Sequence, residues 1–375
     1  MRKNIFYICG YDDYLNNREL ITQPSCVTKS DYIIQTLIEA GFNVKVFSVA
    51  SSMTKKVILK SASRKVNSNL QIYYINNLRK TNIILKVVAT LFIYLQVLIF
   101  LLKREKEDIV LVYHSKRLSR VIFYISKIKR IRLYFEIEEI YSAVFKRSNK
   151  EITKEIRTLS RSKGNIVVND IIHEKLNNKV MNIPCYGIYK HNAKPKLIDK
   201  SKPINIVYAG LIGDCYSDAF LAVKTAPYLN SNYSIHILGF GSNDNISNLK
   251  KEIENLPNGS CSVFYHGCMH GKEYSSFLSK CHIGLCIRTL PNIYSDYTFP
   301  SKIFAYLSNN IIPICSDIDC VKKSKIANEI YFTSDITPAS VAKTILAIDI
   351  NIIDYERPLT ELHKNFVNEI KYLFK

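Results

Sequence analysis

Arg288-Thr-Leu-Pro-Asn-Ile-Tyr-Ser-Asp-Tyr-Thr-Phe-Pro-Ser-Lys-Ile-Phe-Ala-Tyr-Leu-Ser-Asn-Asn-Ile-Ile-Pro-Ile-Cys-Ser316 is the stretch from which the fold is read. The apolar run just before it, Ile283 to Ile287, predicts a buried strand. A polar loop follows, then a helix that Pro300 can open, since proline suits the first helical position. Ile303, Phe304 and Leu307 give that helix one apolar face. Asn309–Asn310 supply a left-handed stop, and Ile311–Cys315 reads as the next strand. A strand–loop–helix–strand unit turns its helix N-terminus toward the carboxyl edge of a parallel sheet, where α/β proteins bind ligands. Free N–H groups of Ser301 and Lys302 at the positive end of the helix dipole suit a phosphate there.

Phe299-Pro300-Ser301-Lys302-Ile303-Phe304, then Tyr306-Leu307 and the strand Ile311 to Ser316, resembles the donor-site helix of GT-B glycosyltransferases. The resemblance is nearest to the retaining family 4 and to bacterial capsule and O-antigen transferases. It implies an α/β fold of two Rossmann-like domains facing across a cleft, with a C-terminal helix crossing back to the first domain. It also implies that the helix at Lys302 carries the diphosphate of a nucleotide sugar. Two departures accompany it. Ala305 stands where the family usually has the Glu that holds the ribose, and Tyr297 stands where it usually has a second acid.

At 375 residues the chain is long for one domain and suits two. Its 47% hydrophobic and 22% charged residues are those of a folded protein and exclude a disordered one. A formal charge of +20 calls for a polyanionic neighbour: nucleic acid, an anionic membrane surface or a phosphorylated substrate. The Lys, Asn, Ile and Tyr richness without Trp is also what an AT-rich genome would produce. Ten cysteines form no CxxC pair, and no secretory signal is expected, which points to reduced, buried cytosolic thiols. Asn82 to Leu102 is the one candidate membrane segment. Its apolar core is interrupted by Gln96 and is shorter than the roughly 20 residues a span needs, so a buried or interfacial helix is expected.

Asn4–Cys9 reads as a first strand, followed by a polar loop to about Lys29 and a helix from Ser30, its cap, to Ala40, ended by Gly41. Val44–Val49 completes a Rossmann-type opening. The loop at Gly10 lacks G-x-G-x-x-G, so no dinucleotide cofactor is indicated. By the resemblance this first loop lies over the acceptor, with Arg18, Gln23 and Lys29 lining it or lying on a solvated loop. Strands Ile109–Tyr113 and Ile131–Phe135 follow, the first ending at His114 and the second running into Glu136-Ile137-Glu138-Glu139. Three carboxylates within four residues are costly if buried unpaired and must face a cleft, solvent or cations. His114, Glu138 and Glu139 are the candidate catalytic groups there.

Between His114 and Lys163 there are 14 Lys or Arg against 5 Asp or Glu. Phe123, Tyr124 and Ile128 interleave with Lys127, Lys129 and Arg130, a pattern that suits either anionic lipid or a solvated face. No nucleic-acid motif accompanies the charge.

The domains are expected at 1–189 and 204–350, joined by a linker at 190–203 and followed by a terminal helical segment at 351–375. In the second domain Gly210 and Gly213 follow the strand Ile204–Ala209. Gly239 and Gly241 end the strand Ser234–Leu238, and His266-Gly267 follows Val263–Tyr265. The resemblance puts the first of these loops at the diphosphate and the last beside the nucleobase, although Asp214 and Cys215 replace the usual cation.

The expected function is a cytoplasmic glycosyltransferase, peripheral on the inner face of the cell membrane. It would move a sugar, with retention, from a nucleoside-diphosphate sugar to a lipid-linked or oligosaccharide acceptor, without cofactor or metal. Inversion would need a base, for which Glu139 or Asp13 stands ready. The single Asp-x-Asp, Asp317-Ile318-Asp319, is not needed by the GT-B pattern. Two other classes are open: a non-catalytic nucleotide-sugar-binding scaffold, and a basic nucleic-acid-binding α/β protein.

Overall fold

The structure is a computed structural model that describes residues 2–14, 20–52, 56–116, 118–176, 180–191, 193–199, 201–213, 218–288 and 296–375. Two compact units emerge, Met1–Tyr186 with Lys364–Lys375, and Gly187–His363.

The first unit is built on the strands β1 (Asn4–Cys9), β2 (Asn43–Ser48), β3 (Ala62–Lys65), β4 (Leu70–Tyr74), β5 (Ile109–Tyr113), β6 (Arg132–Ile137), β7 (Gly164–Val167) and β8 (Met181–Pro184). Their order across the sheet is β8-β7-β6-β5-β1-β2-β4-β3. All pairs are parallel except β3 with β4. Central β1 and β5 are nearly continuous apolar runs with little exposure, as a parallel strand covered on both faces requires. The chain reverses direction across the sheet between β1 and β5, and this is the crevice where such sheets take ligands.

Helix α1 (Pro24–Glu39) starts six residues before the expected cap, because proline at its start stabilises the earlier turn. Ser30 therefore lies inside the helix, buried, rather than capping it. Gly41 ends it at φ +98°, a conformation that glycine adopts without strain. Helices α2 (Ile83–Leu102), α3 (Leu118–Lys129) and α4 (Asn149–Leu159) complete the layers used below. Strand β6 runs two residues beyond the expected Phe135, which carries Glu136 into the core.

The second unit contains β9 (Ile204–Ile212), β10 (Tyr233–Gly241), β11 (Ser262–Tyr265), β12 (Ile283–Cys286), β13 (Ile312–Ser316) and β14 (Tyr331–Thr333). Their order is β11-β10-β9-β12-β13-β14, and every pair is parallel. This is the doubly wound order, with its reversal between β9 and β12. Strand β9 continues three residues past Ala209, pairing Gly210 with Gly239 and Ile212 with Gly241. A Cβ on Gly239 or Gly241 would collide with the facing carbonyl of Gly210 or Ile212, so these glycines let the two strands stay paired to their ends. The stop at Asn310 is left-handed, with φ +51°. Its buried amide accepts from the Tyr355 N–H at 2.9 Å and donates to Lys194 O at 2.8 Å.

The division falls at Tyr186/Gly187, and residues expected as linker belong to the second unit. Lys196–Leu197 pairs there with Ile352–Ile353. Helix α5 (Glu356–Leu373) begins in the second unit and ends in the first. Within the first unit Phe366 stacks on Tyr32, and Phe374 meets Phe42 and Tyr134 with ring centroids 5.9 and 4.6 Å apart. All nine described cysteines are free thiols. Because Phe374 is fully buried, Phe374→Ala is expected to cost about 3–5 kcal/mol, read as a lower urea midpoint for the unit that holds it.

Candidate functional site

The carboxyl edge of the second sheet gathers residues from four strands and loops at its reversal point. Lys302 opens a six-residue helix, Lys302–Leu307, rather than one beginning at Pro300. Only a short dipole stands behind Ser301 and Lys302, and Ser301 is exposed with no capping bond from its side chain. The positive charge at this edge therefore resides mainly in side chains. The Lys302 Nζ sits 4.0 Å from the centroid of the Tyr208 ring, and the Tyr208 hydroxyl donates to Leu211 O at 2.9 Å. A Cβ on Gly210 would collide with the end of Lys302, so the glycine is what admits the ammonium to the strand. Burial, reinforced by Arg288, holds Lys302 below the usual lysine range, against the opposing pull of Cys286 and Asp218. An incoming anion would relieve that depression.

Arg288 follows β12. Its N–H donates to Ser316 Oγ at 2.9 Å and its guanidinium to Thr298 Oγ1 at 3.0 Å. Tyr306 locks the short helix to the sheet, accepting from Ala209 N–H at 3.3 Å and donating to Leu285 O at 3.2 Å. Its ring occupies the space that a Cβ on Gly284 would need. Gly213 closes the described part of its loop, half-buried. Gly239 donates to the carbonyl of Gly267, which holds φ +75°. His266, exposed, shares a 3.0 Å hydrogen bond with His236 and lies 4.6 Å from the Phe277 ring. Burial pushes His266 down, and burial with His266 and His282 pushes His236 to about 4, so both are neutral near pH 7.

The first unit carries a second cluster at its own reversal point. Lys29, nearly buried, donates to Cys185 O at 2.6 Å and pairs with Glu138 at 3.4 Å. Burial works against the Lys29 charge, but Cys185, Glu138 and Glu136 outweigh it. Glu136 behind them is wholly buried, bonded through one oxygen to the Tyr7 hydroxyl, while its other oxygen has no partner. Burial and the nearby Glu138 push its carboxyl up to about 8. Thus Glu138 carries the charge opposite Lys29 and Glu136 carries a proton.

No protein-family model matches the sequence, and no curated protein matches it. Solved structures do. The Anabaena protein HepE, solved with UDP, superposes at a TM-score of 0.59 with 10% identity, covering 99% of this chain and 94% of that one. A UDP-forming α,α-trehalose-phosphate synthase from Burkholderia vietnamiensis gives 0.59 and 7% identity over 99% and 98%. AviGT4, a glycosyltransferase of avilamycin A biosynthesis, gives 0.54 and 10% over 99% and 98%.

The chain has the GT-B fold. Within it, several expected site residues occupy other roles. His114 is 2% exposed, with Nδ1 2.9 Å from Ser119 Oγ and Nε2 2.7 Å from Glu155 Oε1. Glu155 also accepts the N–H groups of Tyr141 and Ser142. The histidine is a buried brace of the loop after β6, held through Glu155 of α4. Asp13 is tied to Arg64 of the β3–β4 hairpin at 2.6 Å, which removes it as a free base. Gln23 is exposed at the start of α1 and accepts from the Cys26 thiol at 3.4 Å. Glu139 is half-buried beside Glu138, and Arg18 lies outside the described residues. Asp317 pairs with Lys322 at 2.5 Å, and no group of three metal-ligating side chains occurs among the described residues.

Tyr208 escaped the sequence reading, as did the roles of Tyr306, which stands in the helix motif, and of Glu136, one of the three carboxylates after Phe135. The only signal for the tyrosines was their spacing from Gly210 and Lys302, and for Glu136 the length of β6. Replacing Gly210 by alanine is expected to leave the fold intact, since the clash is with a flexible side-chain end, and to displace Lys302. Losing the contact between Lys302 and the Tyr208 ring, worth about 0.5–2 kcal/mol for a cation over an aromatic face, would lower the urea midpoint of the second unit relative to the parent chain.

A carboxyl raised in the folded state contributes stability in full below its unfolded value near 4.3, and loses it as pH rises through the folded value, here about 8. Glu136→Gln should therefore gain stability relative to the parent as pH rises from about 4.3 to about 8, with no further gain above, in paired urea melts.

Proposed function

We propose that this protein is a glycosyltransferase that takes a sugar from a nucleoside-diphosphate donor. The observation that carries the reading is the convergence of Lys302 and Arg288 on a glycine-lined reversal point of a parallel sheet. Uridine diphosphate is the first nucleotide to try, because HepE was solved with UDP and with UDP-glucose.

As the bond from the anomeric carbon to the diphosphate breaks, negative charge grows on the leaving oxygens. The Lys302 ammonium and Arg288 guanidinium, held by Tyr208 and Thr298 respectively before the donor arrives, meet that charge without reorganising. In the first unit Glu138, oriented by Lys29, is the carboxylate that receives the acceptor hydroxyl. The proposed acceptor is a lipid-linked or growing polysaccharide, a hexosyl group is moved, and the anomeric configuration is kept, with no metal needed by these steps. Ala305 and Tyr297 leave the ribose without the usual carboxylates, which favours a second reading: a subunit that binds nucleotide sugar without turning it over.

A thermal-shift series with UDP, GDP, CMP and ADP, each with and without magnesium, tests the first step. One nucleotide should raise the midpoint by mass action, independently of magnesium, and no shift with any of them would remove the donor site. Lys302→Ala should lower kcat by about 10²–10³-fold in a radiolabelled-sugar transfer assay, and unchanged turnover would sink its role. A shift with UDP but no transfer to any acceptor would favour the binding subunit.

A further inference from the structure

Helix α2 has two unlike faces. Ala89, Ile93, Val97 and Leu101 are buried against the first unit. Phe100 stacks on Phe47 at 4.2 Å and meets Phe6 edge-on. Gln96, the polar break in the apolar run, exchanges hydrogen bonds with Asn76: it accepts from the Asn76 N–H at 2.9 Å and donates to Asn76 O at 2.9 Å. This side cannot face lipid without breaking those bonds and contacts, so the helix does not span a bilayer, although its 20 residues and mean hydropathy of 2.4 would suffice.

The opposite side is bare. Ile84, Val88, Leu91, Leu95 and Leu102 recur at helical steps on one stripe, and all are at least 43% exposed. Helix α3 packs beside α2 and adds Tyr124 at 60% and Ile128 at 82% exposure. Exposed apolar residues recurring on two packed helices are not the scattered single ones of an ordinary surface. Their borders decide what covers them. Neither helix contains an acidic residue, whereas Lys86, Arg120, Lys127 and Lys129 lie on them and Lys103 and Arg130 follow directly; Arg104 is turned onto the Phe6 and Phe100 rings on the anchored side. A second copy would bring the same acid-free, basic face to this one, on a chain of net charge +20, and isologous pairing would set like charge against like.

We infer that α2 and α3 together form a docking face for an anionic lipid bilayer. The exposed stripe of α2 lies in the headgroup–acyl boundary, and the lysines and arginines around it meet lipid phosphates. The inference stands on exposure and charge and does not depend on the transferase reading.

Flotation of the full chain with vesicles of phosphatidylglycerol and phosphatidylethanolamine, against vesicles of phosphatidylcholine alone, tests it. The parent chain should float with the anionic vesicles and stay behind with the neutral ones. Leu91→Glu/Leu95→Glu and, separately, Lys127→Gln/Lys129→Gln/Arg130→Gln should each reduce binding about tenfold or more, with unchanged circular-dichroism melts. Should the glutamate pair fail to fold, Leu91→Gln/Leu95→Gln takes its place. The inference is overturned if the parent chain ignores anionic vesicles, or if both variants float as it does. It is also overturned if sedimentation shows a dimer that Leu91→Glu/Leu95→Glu dissolves while vesicles go unbound.

Discussion

An ammonium group can lie against the backbone of a strand only where that strand has no side chain. Gly210 meets that condition at the first residue of the expected turn, inside a strand that continues to Ile212. The rest of the second unit's edge follows from it. Gly239 must also lack a side chain, since it faces Gly210 across the ladder. Tyr208 gives the ammonium an aromatic face, which attracts a cation more as water is excluded. Tyr306 ties the helix bearing Lys302 to the backbone of β9 and β12. Lys302 is thus positioned from both ends of its own helix turn, and it is held there largely desolvated.

The first unit handles charge differently. There a lysine, two carboxyls and a tyrosine share a nearly dry space, and full ionisation of all of them would be costly. The arrangement settles by proton placement: Lys29 and Glu138 form the ion pair, and Glu136 stays neutral behind Glu138. His114, by contrast, is consumed by structure. Through Nε2 and Glu155 it fixes the turn at Tyr141–Val144, while Nδ1 is held by Ser119 of α3, so it shapes the loop that carries Glu138.

The same unit keeps its apolar economy asymmetric. Gln96 looked in the sequence like a flaw in a membrane segment, yet it is the bond that fastens α2 to the domain. With that side anchored, the remaining apolar residues have nowhere within the chain to go.

Much of this was legible in the residues themselves. Apolar runs such as Asn4–Cys9 and Ile109–Tyr113 announced parallel strands, because burial on both faces leaves no room for polar alternation. Gly41 and Asn310 announced left-handed stops through local sterics alone. Lys302 and Arg288 were readable because they flank a strand–loop–helix–strand unit whose geometry is local. The register of β6, which buries Glu136, was not readable, since strand ends depend on what packs beside them. Nor were the brace at His114, the pairing of Asp13 with Arg64, or the cradle of Tyr208 and Gly210, since their partners lie dozens of residues away or across the sheet. Sequence alone determined which segments would be strands and helices and where charge would concentrate, because those depend on neighbours along the chain. Only the tertiary structure decided which charges are paired, which glycines make room and which apolar face stays bare, because each of these is settled by what the fold brings alongside.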